Sequence, residues 1–241
     1  MATRLVSVVV DAADMRGQAE FWAALLDWPL TFADHEEVDV EPAAGDGCPL
    51  ELVFVPVAEP KVAKNRLHLD LASATPEAQL AAVARAEELG ARRIDIGQGA
   101  VPWVVMADPE DNEFCVLDPR PEYADTGALA AIVVDTTDVA ASATFWQAAS
   151  GWNLLRQTDG TAALRHPETR GPWLEFLPAA PKTVKNRLHL DVAPYPDDTL
   201  DAEAHRLLAL GATETDIGQG NVPWKVLADP QGSEFCILSP R

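Results

Sequence analysis

The chain has 241 residues, of which 48% are hydrophobic, and its 38 acidic and 18 basic side chains give a formal net charge of -20. This length and apolar content allow one large domain or two ordinary ones with packed cores. The negative charge disfavours nucleic-acid binding, because phosphate recognition needs a cationic surface. It would instead attract cationic small molecules, or simply keep the protein soluble.

The cysteines Cys48, Cys115 and Cys236 cannot form a closed disulfide framework, so we expect reduced thiols. Near the N-terminus, a short apolar stretch is interrupted by Ser7 and ended by Asp11. It is too short for a signal peptide or a membrane span. We therefore expect a cytoplasmic protein without a membrane partner. Cys48 has no counterpart later in the chain, and we assign it no role.

Two segments of the chain recur 121 residues later. Residues 60–70 return as residues 181–191 with nine of eleven positions identical, and residues 95–117 return as residues 216–238 with sixteen of 23 identical. Self-similarity on this scale predicts two domains of the same fold.

The boundary between the domains is expected where prolines and a glycine interrupt regular structure. We place the domains at residues 1–121 and 127–241, joined by a linker at residues 122–126. Duplication within one chain could supply the pairing that single-domain relatives achieve as homodimers. A monomer with paired domains is therefore expected, with a homodimer as the alternative.

In chain order, each half begins with a β-branched strand, such as residues 5–10, followed by a helix that Asp14 can cap. One or two weaker strands and a further strand at residues 50–55 complete a first β-α-β-β-β set. Residues 66–71 alternate leucines with Arg66, His68 and Asp70, which predicts a strand with one polar face.

A second helix opens at Thr75-Pro76 and stops at Gly90. Three strands follow, at residues 92–96, 102–107 and 113–117, and the last two form a hairpin across an Asp-Pro turn. Each half is therefore predicted to be β-α-β-β-β twice over.

Several motifs accompany this order of elements: Phe-Trp followed by a Trp after the first helix, the strand Arg-Leu-His-Leu-Asp, Leu-Gly-Ala after the second helix, and Ala-Asp-Pro-x-x-x-Glu-Phe-Cys. Together they resemble the glyoxalase/bleomycin-resistance branch of the vicinal oxygen chelate superfamily, over nearly the whole chain and twice. The resemblance implies an α+β fold of two tandem domains. In each, paired βαβββ modules would form a curled mixed sheet around a crevice that binds a small molecule, often with a divalent metal.

Members of that superfamily include lactoylglutathione lyases, extradiol dioxygenases, epimerases, thiol transferases and metal-free drug-binding proteins. Fold alone does not choose among these activities, so whether the chain is an enzyme stays open. In the metal-dependent members, the ligands come from the first, fourth, fifth and eighth strands, commonly as His, Glu, His and Glu.

Only the fifth-strand ligand transfers directly to this chain, as His68 and His189. The first-strand position falls on Ser7 and Ala131, which are poor ligands, and the last-strand position falls on Cys115 and Cys236 instead of Glu. The carboxylates that could complete a site are Glu51 and Glu175 on the fourth strands, and Glu113 and Glu234 two residues before the cysteines.

We favour a degenerate metal site, because two firm ligands per half are too few for zinc. In that case the cysteines pack as small apolar side chains and the histidines form hydrogen bonds in the crevice wall. A divalent metal, such as zinc, nickel, manganese or iron, is the first alternative. A cysteine nucleophile activated by the adjacent histidine is the second.

The leading hypothesis is a protein that binds a small aromatic or cationic molecule without catalysis or cofactor. The expected crevice residues are His68, His189, Cys115, Cys236, Trp103, Trp224, Arg66 and Arg187. The tryptophans could stack on a planar ligand, and the Lys-Asn-Arg segments could bind a carboxylate or phosphate, or form salt bridges on the surface. The alternative is a metal-dependent lyase, isomerase or dioxygenase that polarises a substrate carbonyl or enediolate.

Overall fold

The computed structural model describes residues 3–168 and 170–241 of the chain. The first half contains β1 Arg4–Ala12, α1 Met15–Leu26, β2 Leu30–Ala33, β3 Val38–Val40, β4 Glu51–Pro56, β5 Leu67–Leu71, α2 Pro76–Glu88, β6 Arg92–Arg93, β7 Val104–Ala107 and β8 Glu113–Val116. A short 3-10 helix, Pro121–Tyr123, follows.

The second half repeats the same order of elements. It contains β9 Leu129–Thr136, α3 Val139–Ser150, β10 Asn153–Gln157, β11 Ala162–Arg165, β12 Trp173–Pro178, β13 Leu188–Ala193, α4 Leu200–Ala209, β14 Thr213–Glu214, β15 Lys225–Ala228 and β16 Glu234–Ile237. The predicted α+β class and the doubled β-α-β-β-β order in each half are confirmed. No helix among the described residues has the length and apolar character needed to cross a membrane.

The strands form two eight-stranded mixed sheets, and each sheet takes one module from each half of the chain. The first sheet has the order β14-β15-β16-β13-β1-β4-β3-β2, and the second has the order β10-β11-β12-β9-β5-β8-β7-β6. At the centre of each sheet, two strands from different halves pair antiparallel, β1 with β13 and β5 with β9. This pairing covers strand edges that a single module would leave unpaired.

One face of each sheet packs against helices in the main hydrophobic core, to which alternate residues such as Val8, Val10 and Leu69 contribute. Trp22 and Trp146 belong to this core. Their indole nitrogens donate to Asp108 and Asp229 in the Asp-Pro turns, across 3.3 and 3.0 Å. We call the opposite face of each sheet its helix-free face.

Candidate functional site

Each helix-free face carries a cluster of one histidine, one aspartate and one cysteine. The first-sheet cluster is His189, Asp191 and Cys236, and the second-sheet cluster is His68, Asp70 and Cys115. In both clusters, the potential ligand atoms lie within 4.8 Å of one another. The structure therefore brings together the predicted histidine and cysteine of each half, and adds an aspartate.

Strand geometry explains why the three side chains of a cluster meet. On β13, His189 and Asp191 are two residues apart, so they project from the same face of the sheet. Asp191 lies opposite Cys236 on the parallel strand β16. The second sheet repeats this register, with Asp70 of β5 opposite Cys115 of β8.

The donor atoms in the first-sheet cluster are close enough to share one ion. The His189 Nε2 atom lies 3.3 Å from Asp191 Oδ1 and 3.6 Å from Cys236 Sγ. A tetrahedral zinc ion bonded at about 2.0–2.1 Å to nitrogen and oxygen and 2.3 Å to sulfur would hold such atoms roughly 3.4 and 3.6 Å apart. The residues present therefore fit a zinc-type centre with one coordination position left for a ligand.

Burial changes the pKa of the ionisable side chains in both clusters. It raises the pKa of the Cys115 and Cys236 thiols, and the neighbouring aspartates raise it further. A nucleophilic cysteine needs a lowered thiol pKa, so these surroundings do not favour the cysteine nucleophile that the sequence left open.

The two histidines respond differently to the same burial. In the second sheet, burial lowers the pKa of His68 to about 4 and raises that of Asp70 to about 7. In the first sheet, burial opposes protonation of His189, but the hydrogen bond and charge of Asp191 outweigh it and raise the pKa of His189. The two pairs have nearly the same geometry, with 3.4 Å between His68 Nε2 and Asp70 Oδ1 and 3.3 Å between His189 Nε2 and Asp191 Oδ1.

Strand register shows which other residues accompany each cluster. Across the first sheet, Glu51, Ser7, Asp191 and Cys236 lie in one row on adjacent strands. Across the second sheet, the corresponding row is Trp173, Ala131, Asp70 and Cys115. Glu51 is thus equivalent to Trp173 rather than to Glu175, which lies two residues farther along β12, opposite Val133 and in the row of His68.

Each of the remaining predicted carboxylates has hydrogen-bond partners outside the His-Asp-Cys clusters. Glu175 accepts hydrogen bonds from Tyr123 and Arg156. Glu113 accepts from the Lys61 amine at 2.8 Å and the Asn65 backbone amide at 3.1 Å. Glu234 makes the equivalent contacts with Lys182 and Asn186. None of the three belongs to the His-Asp-Cys groups found among residues 3–168 and 170–241.

The predicted tryptophans and arginines lie at different places. Trp103 packs at the edge of the apolar cluster on the second helix-free face, with the Arg120 guanidinium 5.3 Å from its ring centroid. Trp224 is more exposed and lies beside Pro240. Arg66 and Arg187 line a separate cavity between the two Lys-Asn-Arg segments.

Part of the second helix-free face is covered by the segment that joins the two halves. The 3-10 helix between the halves places Tyr123 on an apolar cluster that includes Val133, Ala163 and Trp173. The Tyr123 hydroxyl donates to Glu175 at 3.1 Å, and the Trp173 indole donates to the Glu122 carbonyl oxygen at 3.0 Å. The His68 and His189 side chains are nevertheless about equally buried, with 14% and 11% of their surface exposed.

The first helix-free face is polar at the equivalent positions. Ser7, Asp39 and Glu51 stand where the second sheet has Ala131, Ala163 and Trp173. The Ser7 side chain is fully buried, and its hydroxyl has no hydrogen-bond partner among the described residues. One carboxylate oxygen of Asp39 is likewise buried and unpartnered there. Unsatisfied polar atoms in a native fold call for an explanation such as a bound ligand or ion.

The sequence interpretation missed three kinds of residue at these sites. Asp70 and Asp191 were assigned to the polar face of their strands but not to the ligand set, although the period of two places them beside the histidines. Ser7 was considered only as a poor ligand. Tyr123 gave no signal, because its role depends on where the linker lies in space.

The sequence profile of the glyoxalase-like domain matches residues 7–117 and again residues 131–238. No curated protein matches the chain. Glyoxalase I from Zea mays has a similar structure, with a TM-score of 0.68 and 15% identity, over 99% of this chain and 92% of that protein. A protein from Bacillus subtilis with a provisional dioxygenase assignment gives a TM-score of 0.63 and 12% identity, over 100% of this chain and 86% of its own.

At these identities the two structural matches establish the fold only. The profile match is stronger, because it covers both halves and nearly all of the strands and helices described above. The repeat, the βαβββ modules and the two matched segments agree with one another. The chain belongs to the family of glyoxalase-like domains, which it contains twice.

Proposed function

We propose that the protein binds a small molecule on the first helix-free face, and that His189, Asp191 and Cys236 hold a divalent metal ion there. The observation that carries this proposal is the spacing of the His189 Nε2 atom from Asp191 Oδ1 and from Cys236 Sγ, which suits a single tetrahedral ion. Imidazole, carboxylate and thiolate together favour zinc over magnesium or calcium. The sequence interpretation favoured a degenerate site because it counted only two firm ligands in each half. In this proposal Asp191 supplies the third.

The first helix-free face is more polar than the second, and this difference supports placing the ligand on the first face. Beside Asp191, the first sheet offers the unpartnered Ser7 hydroxyl and the partly exposed Glu51 carboxylate. The second-sheet cluster has the same donors and is expected to bind metal as well. However, Tyr123 packs on the apolar cluster of that face, so we place the external ligand on the first helix-free face.

A metal ion bound at this position would polarise a carbonyl or enediolate oxygen of the ligand. Glu51 lies in the same row, separated from Asp191 by the strand that carries Ser7. Burial raises the pKa of Glu51, and this brings the carboxyl group closer to the range in which a general acid or base works near neutral pH. These features favour proton-transfer chemistry of the lyase or isomerase kind, with Glu51 as the proton carrier.

Metal-free binding is a second candidate function, and one observation favours it. His189 and Asp191 are already in contact at 3.3 Å, and the charge of Asp191 raises the pKa of His189. Such an imidazolium-carboxylate pair would balance the two charges without an ion. The site would then be degenerate, and the acidic face would bind a cationic ligand directly.

Metal content decides between the two candidates. Protein purified without added metal or chelator is analysed for zinc, nickel, manganese and iron, in parallel with His189→Ala and His68→Ala. We expect up to two ions per chain, with each variant losing one. Substitution with cobalt should produce a thiolate-to-cobalt absorption band that Cys236→Ser weakens and Cys48→Ser leaves unchanged.

Stoichiometric metal that both histidine variants retain would place the ion elsewhere and overturn the proposed metal site. Protein that neither contains metal nor takes up any of the four ions would support the metal-free candidate instead. A ligand screen by thermal shift, compared between wild type and Glu51→Gln, would then test the first helix-free face directly.

A further inference from the structure

The two copies of the Pro-Lys-x-x-Lys-Asn-Arg segment, residues 60–66 and 181–187, face each other across a cavity of about 510 Å³. Six of the chain's 18 basic side chains line it, against two carboxylates, Asp11 and Glu59. The six are Lys61, Lys64, Arg66, Lys182, Lys185 and Arg187. Neither His-Asp-Cys cluster contributes to its wall, so this cavity is separate from the site proposed above.

Most carboxylates that pair with these cations are not in the cavity wall. Lys61 binds Glu113 at 2.8 Å and Lys64 binds Asp135 at 2.6 Å, and neither acid lines the cavity. An ammonium group has three N–H donors, and each of these lysines uses one of them among the described residues. The other donors are free to face the cavity.

The two arginines add donors that the protein does not use. Arg66 donates to the carbonyl oxygens of Ala180 and Asp135, and Arg187 donates to the Glu59 carbonyl oxygen and to Glu110. In both arginines, the Nε atom is buried and has no partner among the described residues. A bound anion would instead contact the terminal nitrogens, since each of them carries a second N–H beyond the four bonds named above.

We propose that this cavity binds a polyvalent oxyanion, such as a small phosphate ester. Its lining is strongly cationic within a chain of net charge -20, which disfavours binding of such an anion elsewhere on the surface. Guanidinium forks and ammonium groups are the side chains that recognise phosphate. The volume suits a small organic molecule rather than a single ion.

Calorimetric titration with pyrophosphate as the probe tests this site. We expect one probe per chain, and an affinity at least tenfold lower in the double variant Lys64→Gln with Lys185→Gln. The matched control is Arg92→Gln with Lys225→Gln, which removes two equally accessible cations whose partners are Asp111 and Asp201. This control should bind the probe like the wild type.

Pyrophosphate also chelates metals, so the titration is repeated on His68→Ala with His189→Ala. Unchanged binding in that variant assigns the probe to the cavity, whatever the outcome for the metal site. Thermal melting establishes that each variant is folded before titration. The proposal is overturned if the wild type shows no saturable binding up to 1 mM pyrophosphate, or if the Lys64 and Lys185 variant binds as tightly as the control.

Discussion

The hydroxyl of Tyr123 donates a hydrogen bond to a carboxylate oxygen of Glu175 across 3.1 Å, and so ties the segment between the two halves to strand β12. Arg156 donates to the same oxygen at 2.7 Å. Tyr123 thereby packs on the second helix-free face. The two halves share a fold and a cluster, but their faces have diverged.

Two substitutions of Tyr123 distinguish the stability that its hydrogen bond contributes from the stability that its packing contributes. Tyr123→Phe should lower the free energy of unfolding by about 1 kcal/mol, the typical cost of one hydrogen bond. Tyr123→Ala should lower it by about 3 kcal/mol, because it also leaves a cavity over Val133 and Trp173. Urea denaturation measures both. Equal losses in the two variants would mean that the ring does not fill the face.

The Asp39 carboxyl should make stability depend on pH. Burial and then the charges of Glu37 and Glu51 raise its pKa to about 7 in the folded protein, from 3.8. The folded state therefore holds a proton that the unfolded chain releases between about pH 4 and pH 7, and wild-type stability falls as pH rises through this window.

Asp39→Asn should remove that loss. We expect the variant to be more stable than the wild type by about 2 kcal/mol at pH 8, after allowance for the partial exposure of the side chain. The difference should vanish below pH 4. The exposed residue Asp197, changed to Asn, serves as the control in urea unfolding at both pH values. A gain that is independent of pH would contradict this assignment.

Metal binding should be linked to folding through Asp191. At a free zinc concentration a hundredfold above the dissociation constant, we expect the free energy of unfolding to rise by about 2.7 kcal/mol for one site. In a His68→Ala background, which isolates the first-sheet cluster, Asp191→Asn should weaken zinc binding at least tenfold and reduce the gain at the same zinc concentration to about 1.4 kcal/mol or less. Chemical denaturation with buffered zinc measures the effect. An undiminished gain in Asp191→Asn would exclude this carboxylate as a ligand.

The two halves also differ in the ion pair that the arginine of each Lys-Asn-Arg segment forms. Arg187 binds Glu110 at 2.9 Å, whereas the equivalent of Glu110 in the second half is Gln231, which contacts Thr137. Gln231→Glu should let Arg66 form the missing ion pair and should stabilise the fold by about 0.5–1 kcal/mol. The gain should disappear in 1 M salt, which screens a partly exposed pair. Destabilisation by this change would show that the two positions are not equivalent.

Much of the fold followed from local sequence. The alternation of residues 66–71, the Thr75-Pro76 cap and the Asp-Pro turns each predicted an element that the structure contains. Which modules share a sheet could not be predicted. The strands of the two halves are so alike that a module could pair equally well within its half or across it. That choice depends on the path of the linker in three dimensions.

Only part of the candidate site could be predicted, because some of its residues are brought together by the arrangement of strands in space. His68 and Cys115 were found from motifs, and strand alternation alone would have added Asp70. The inequivalence of Glu51 and Glu175 depends on the register between neighbouring strands, which the sequence does not give. The predicted domain boundaries and the crevice role of the tryptophans stay predictions.

The pairing of modules across the halves affects how the chain folds during synthesis. β1 leaves the ribosome long before β13, its partner at the centre of the first sheet, and they are separated by roughly 180 residues. Neither native sheet can be completed by the first half alone, so one edge of β1 and one edge of β5 lack their native partners until the second half is made. Such non-local pairing slows folding and exposes strand edges that can associate between chains. Two half-chains produced together should therefore recover the native sheets by association, while either half alone should aggregate.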